Sequence, residues 1–414
     1  MNKLKEEFET KTRKELLNTI SSQLFGGEKP NISHNIILHV LKEAEAQTVF
    51  SLAFAYLQKE LTIISAGNFD ELNEKFYRNV ILNTNNFQEH NELHELMESR
   101  QIPYVTIKGL ASAYYYPDPS LRDMGDVDFL VFEKDFEASK RAVLSAGFKL
   151  DHGYDDSIHI AFNREPVSIW EQHRCVNGIP EGSVGELIRE ELDKTIETSE
   201  LVELDGAVCR IPDKFHHGLI MLLHMISHMT SEGIGLRHLC DWAVLVNSIS
   251  NDEFVDLFSK KLNNFGLWKF AQIMTATSEK YLGIEHKEWI ESAELDDGLL
   301  EDVITDIFNG GNFGKKDLNR YREIKYISDR NDRTVDNKSV FYQALNSLNK
   351  KVYGDYSVIS RHKMLLPVGW IAEGGKYIGL LISGKRKNKD TSAMLKEAAK
   401  RKDTYSQMDL FKRS

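Results

Sequence analysis

The sequence predicts an α+β protein, with a strand-bearing centre near residues 101–211 set between helical segments. Three observations predict it. From Phe8 to about Arg100 apolar residues recur three and four apart, as in Ile36, Ile37, Val40 and Leu41, or Phe50, Leu52, Ala53 and Leu57, which is the helical period. Between Ile102 and His173 short extended runs alternate with turns and a helical stretch. From Pro212 to about Leu282 the helical period returns.

Taken in order, the N-terminal helices are punctuated by Gly26-Gly27 and Pro30. A polar-rich helix over 86–99 leads into the first strand, Ile102-Pro103-Tyr104-Val105-Thr106-Ile107. Lys108-Gly109 reads as a tight glycine turn into a short helix, and Pro117-Asp118-Pro119-Ser120-Leu121-Arg122-Asp123 as a loop. The second strand is Asp126-Val127-Asp128-Phe129-Leu130-Val131. A helix over 136–146 is stopped by Gly147. Extended segments over 159–162 and 167–173 follow, joined by a turn at Arg164-Glu165-Pro166. The expected division is a helical N-terminal domain over 1–100, the core over 101–211, a helical C-terminal domain over 212–384 and a basic tail over 385–414.

Composition narrows the function classes. The chain has 414 residues, 41% of them hydrophobic and 10% aromatic, enough for a sizeable core. Its formal net charge of -11 disfavours a large nucleic-acid surface, because such binding depends on Lys and Arg neutralising phosphates. Cys175, Cys209 and Cys240 are widely spaced and odd in number, which fits a reducing compartment. No run approaches the ~18 apolar residues of a membrane span. The charged start of the chain lacks a signal-peptide core, so the expected location is cytoplasmic.

The candidate chemistry begins at the second strand. Residues two apart on a strand share a face, so Asp126 and Asp128 present two carboxylates together while Val127, Phe129 and Val131 fill the opposite face. Two such charges call for a cation, and hard oxygen donors on a rigid element suit Mg²⁺, with Mn²⁺ as an alternative. A third carboxylate is expected on a later strand. Alternation places Val167, Ile169, Glu171 and His173 on one face, an apolar start ending in two polar groups, so Glu171 is the expected third ligand or base. Because Mg²⁺ prefers oxygen, His173 is expected to support the site or touch substrate rather than ligate.

The motifs in combination resemble one family. Ile107-Lys108-Gly109, Tyr116-Pro117-Asp118-Pro119 with Arg122, and the run from Asp126 to Val131 are similar to landmarks of the uncharacterised polymerase-β-like nucleotidyltransferases. Looser landmarks are Leu222-Leu223-His224 to His228, Gly235 to Asp241, and Asn309-Gly310-Gly311-Asn312-Phe313-Gly314. The resemblance implies a small mixed sheet and Mg²⁺-dependent transfer of a nucleotidyl group from a nucleoside triphosphate to a small-molecule, peptide or protein acceptor. Asp126, Asp128 and Glu171 would then be both the catalytic and the metal-binding residues. The wider superfamily has Gly-Ser at the turn before the carboxylates, whereas this chain has Lys108-Gly109 with Ser112 three residues on. Lys108, Gly109, Ser112 and Arg122 are therefore the expected nucleotide-binding residues, with Lys108 and the amides of the helix starting near Gly109 meeting phosphate.

Two other readings are carried forward. One is an inactive relic of the same fold that binds a nucleotide or a partner. The other is a helical metal phosphohydrolase, since His224 and His228 stand four apart on one helix near His238 and Asp241. Arg237 and Asp241, also four apart, are read as bracing their helix or, for Arg237, facing phosphate. The glycine loop over 309–314 is read as a helix stop that also has the means to approach a ligand. Beyond apolar segments over 365–371 and 377–382, the chain from Lys385 onward has ten basic residues against four acidic ones. The segment is read as a docking helix followed by a solvated, partly disordered tail, the alternative being an anionic surface as its partner.

Overall fold

A computed structural model of the chain describes residues 2–316 except 28–29, 31, 60, 62–65, 152–157, 166–167 and 294, then 391–413, with isolated positions 320, 349, 352, 366–371 and 373. Val167, most of the apolar segments over 365–382, and Lys385 to Asp390 lie outside the described residues.

Four helices open the chain: α1 (Asn2–Phe25), α2 (His34–Ala46), α3 (Phe50–Leu57) and the long α4 (Ala66–Ser99). Strand β1 (Tyr104–Thr106) leads to the short helix α5 (Gly109–Ala113) and then to β2 (Val127–Val131), α6 (Phe136–Ser145), β3 (Lys149–Asp151), β4 (His159–Arg164) and β5 (Ser168–His173). Helix α7 (Gly182–Leu192) precedes a hairpin of β6 (Glu200–Leu204) and β7 (Ala207–Ile211). Helices α8 (Lys214–Met229), α9 (Leu236–Asn247), α10 (Asn251–Phe254), α11 (Lys260–Phe265), α12 (Trp268–Leu282), α13 (Asp297–Gly310) and α14 (Thr391–Gln407) complete the described chain. None of its helices is long and apolar enough to cross a membrane.

The five-stranded sheet has the order β1-β2-β5-β4-β3 and is mixed, with β2 and β5 parallel and the other neighbours antiparallel. The alternation expected of β2 holds: Val127, Phe129 and Val131 join Trp170 and α6 residues Phe136 and Val143 in one apolar cluster, while Leu130 turns the other way into the helical core. On β5, Trp170 and Gln172 face the α6 side, since Gln172 donates to the Phe136 carbonyl at 2.8 Å. Glu171 and His173 therefore share the Asp128 face. The apolar start expected for that β5 face is not buried, because Ile169 is 43% exposed.

The polar character of α4 has a structural purpose. Asn83 donates to the Ser120 carbonyl at 2.7 Å and accepts from the Met124 amide at 3.0 Å, and Asn86 donates to the Asp126 carbonyl at 3.2 Å. One turn on, Glu89 accepts from the Trp170 indole at 3.0 Å and Glu92 takes both terminal nitrogens of Arg164 at 2.6 Å. A single helix thus fixes the loop ahead of β2, the start of the carboxylate run and two strands. The largest core joins α1–α3 to α8–α13, with Ala398 and Tyr405 of α14 and the following Met408, Leu410 and Phe411 docked against it. The described part of the basic C-terminal segment is therefore a docked helix rather than the solvated tail expected.

Candidate active site

A cavity of about 360 Å³ opens between the Asp128 face of the sheet and the helices α8 and α9. Lys108, Gly109, Ser112, Arg122, Asp126 and Asp128 line it from the core side, and His224, Arg237, His238, Asn312, Phe313 and Lys315 are among its residues on the helical side. Every core residue expected to bind nucleotide is on this wall. Glu171 and His173 do not line the cavity but stand next to Asp128, since Asp128 pairs with Glu171 across the β2–β5 register.

Asp128 is the hub. Its Oδ1 accepts from Lys108 Nζ at 2.7 Å and lies 2.8 Å from His173 Nε2. His173 Nε2 is also 3.6 Å from Glu171 Oε2. Donor atoms of Asp128, Glu171 and His173 all lie within 4.8 Å of one another, the only such metal-capable group among the described residues. Asp126 is not a member of that group, although it shares the cavity wall.

Charge explains the state of these residues. Burial opposes the Asp128 carboxylate, but the Lys108 ammonium and the His173 hydrogen bond outweigh it and hold the carboxyl well below its ordinary range. Burial likewise works against charge on Lys108, and Asp128 reverses it, so the amine is held protonated. His173, drawn down by burial and by Lys108, is raised overall by its hydrogen bonds to Asp128 and Glu171. Asp126 moves the opposite way from Asp128: the neighbouring Asp128 charge and then burial push it up to about 6. Two neighbouring carboxylates are thus held at very different proton affinities within one cleft.

Backbone strain aims the lysine. The Ile107 amide donates to the Asp128 carbonyl at 2.9 Å, extending the β1–β2 ladder to the residue before Lys108. Lys108 then adopts φ 58° and ψ −131°, a conformation costing a non-glycine residue on the order of 1–3 kcal/mol. The left-handed residue of this turn is thus Lys108, not Gly109 as expected, and its strain is held by the surrounding contacts. Helix α5 spans only five residues, so its dipole adds little to anion binding. Ser112 is buried on α5 with its hydroxyl 3.5 Å from His217 Nε2.

The expected brace between Arg237 and Asp241 does not form. Asp241 instead accepts from Arg122 Nε and Nη2, both at 2.8 Å, and from the Tyr116 hydroxyl at 2.7 Å. Arg122 is thereby committed to a bidentate pair rather than free for phosphate. Arg237 donates to the Asp123 carbonyl at 3.0 Å while its buried Nε has no partner, so it is the less occupied cation on the wall. Its burial, and then its proximity to Arg122, disfavour its charge.

The histidines of α8 and α9 do not form a metal centre. Rings of His224 and His228 meet edge to face at 4.4 Å, with His238 at 5.4 Å from His224, but no metal-capable group forms there among the described residues. Burial pushes all three toward the neutral form. His224, His238 and Phe313, which has φ 53° in the loop after α13, add aromatic rings to this side of the cavity beside Arg237 and Lys315. The glycine loop ends α13, as expected, and its Asn312 and Phe313 line the cavity.

No curated protein matches the chain. Among solved structures it is similar to an antigenic nucleotidyltransferase-like protein from Paracoccidioides brasiliensis, at 14% identity, over 49% of this chain and 93% of that one, with a TM-score of 0.33. Residues 36–283 match a family described as uncharacterised nucleotidyltransferases. That span is more than half of the chain and contains Lys108, Asp126, Asp128, Glu171, His173 and Arg237. With the mixed sheet and its strand-borne carboxylates, the match identifies the chain as a member of the uncharacterised nucleotidyltransferase family.

Proposed function

We propose that the protein transfers a nucleotidyl group from a nucleoside triphosphate to an acceptor hydroxyl, with a divalent cation at Asp128 and Glu171. The observation that carries this reading is the parallel β2–β5 register, which sets Glu171 beside Asp128 at the edge of a cavity furnished with cations. The donor set fits such an ion: two carboxylates and an imidazole within 4.8 Å, with Asp126 adjoining. When bound, a divalent ion there supplies charge neutralisation to phosphate oxygens.

The division of sides follows from the lining. Asp128 faces both the cavity and Glu171, so the cavity takes the triphosphate and the partly exposed Glu171 side receives the acceptor. Lys108 exchanges Asp128 for a phosphate oxygen as substrate enters, and Arg237 offers its unpartnered N–H. Glu171 accepts the proton as the acceptor oxygen bonds to the α-phosphorus and the bond to pyrophosphate breaks. The aromatic side formed by Phe313, His224 and His238 suits the nucleobase.

A thermal-shift screen of the four triphosphates with Mg²⁺ or Mn²⁺ tests the reading, since a ligand at 100 times its Kd stabilises the folded state by about 2.7 kcal/mol. A flat response to all of them removes nucleotide binding and leaves partner binding as the better account. Glu171→Gln is expected to keep the nucleotide-induced shift and to lose turnover by ~10²–10⁴-fold, the range for a positioned general base. Retained turnover in that variant ends the assignment of Glu171 as the base.

Lys108→Ala and Arg237→Ala are each expected to weaken nucleotide binding by ~1.5–3 kcal/mol, as for a charge-assisted hydrogen bond. Calorimetric titration reads this directly. Wild-type affinity in both variants would place the phosphates elsewhere.

A further inference from the structure

We infer that His173 is itself a metal ligand, which makes this an O,O,N site that selects a first-row transition ion over Mg²⁺. The inference rests on the proposed nucleotidyl transfer for the ion's role, not for its binding. Two donors each about 2.1 Å from one ion lie about 3 Å apart in neighbouring positions and about 4.2 Å apart in opposite ones. The separations of His173 Nε2 from Asp128 Oδ1 and Glu171 Oε2, 2.8 and 3.6 Å, bracket the neighbouring spacing, and all three donors fall within 4.8 Å.

The backbone makes the arrangement rigid. Glu171 and His173 are two apart on β5, hence on one face, and β5 is hydrogen-bonded to β2 with Asp128 opposite Glu171 and Leu130 opposite His173. The ring of His173 is buried and stacks on His159 at 5.1 Å, so it has little freedom to turn away. Its Nε2 proton now bridges to Asp128, and its Nδ1 is buried without a hydrogen-bond partner. An ion takes the place of that proton and meets the Nε2 lone pair between two carboxylates, with the ring proton on Nδ1. Glu171 is partly exposed and Asp128 borders the cavity, which leaves the remaining positions to water or substrate oxygen.

The consequence is selectivity. Mg²⁺ is a hard ion that gains little from imidazole, whereas affinity for sites with nitrogen donors rises from Mn²⁺ to Co²⁺. Titration of the nucleotide-free protein with MgCl₂, MnCl₂ and CoCl₂, followed by calorimetry and for Mn²⁺ by electron paramagnetic resonance, is the test. Wild type is expected to bind Mn²⁺ at least tenfold, and Co²⁺ still more, tighter than Mg²⁺. His173→Ala should erase that preference while changing Mg²⁺ affinity less than twofold, and His228→Ala should leave the order intact. Circular dichroism checks folding, with His173→Asn as the second variant should the alanine fail to fold. Equal affinity for the three ions in wild type, a preference that survives loss of His173, or no binding of any ion overturns the inference. Because no nucleotide is present, each of these results is independent of the triphosphate screen.

Discussion

Asp128→Asn is expected to leave a folded protein with no detectable nucleotidyl transfer. The loss should exceed the ~10²–10⁴-fold supplied by one proton-transfer group, because Asp128 is the carboxylate that the cavity, Lys108, Glu171 and His173 all share. The change keeps the shape of the side chain and removes its charge, so Lys108 and His173 lose their common anion. Lys108 has an escape, since its side chain is 24% exposed and borders the cavity, whereas His173 has none and responds by giving up its proton. Destabilisation of about 1–3 kcal/mol follows, the range for stranding a buried hydrogen-bonding group. Turnover with a divalent ion and thermal melting check the two halves separately. Wild-type turnover in Asp128→Asn would show that this carboxylate is not the centre of the chemistry.

The parts of this site that were legible in the sequence are those governed by local period. Asp126 and Asp128 alternate with Val127 and Phe129, and the same period of two puts Glu171 and His173 on one face, so two strands can be read without knowing their neighbours. What no local pattern reports is which strands pair. The parallel β2–β5 contact brings Asp128 to Glu171 across more than forty residues, and it turns His173 from a supporting residue into a direct neighbour of the carboxylate. The strain at Lys108 was hidden because Gly109 is the residue that a turn ordinarily uses, and here the glycine keeps an ordinary conformation. Asn83, Asn86, Glu89 and Glu92 gave only a polar helix until the loops they hold were placed. One legible signal went unused: Asp205-Gly206, with φ 49° and 80°, is the dipeptide of a two-residue hairpin and joins β6 to β7.

Asp241→Asn is expected to be among the most destabilising single substitutions in the chain. Arg122 and Asp241 lie 119 residues apart in sequence and are 5% and 7% exposed, and their fork-to-fork pair is completed by the Tyr116 hydroxyl. Exposed ion pairs contribute little because water screens them, but removing one partner of a buried pair strands the other charge and costs about 3–5 kcal/mol. Asparagine offers one acceptor oxygen where Arg122 and Tyr116 now use two, and its amide nitrogen faces the guanidinium donors. The same pair ties the loop before β2 to α9, one wall of the cavity to the other, so nucleotide affinity should fall as well although Asp241 makes no catalytic contact. A control separates stranded charge from lost volume: Tyr116→Phe, Arg122→Met and Asp241→Leu together remove every polar partner at once and should recover most of the stability, as buried pairs replaced by packed apolar groups do. Urea unfolding of the single and triple variants decides between them. An unfolding midpoint in Asp241→Asn equal to wild type would mean that the pair is hydrated in solution, and that the two walls are held together by the apolar core alone.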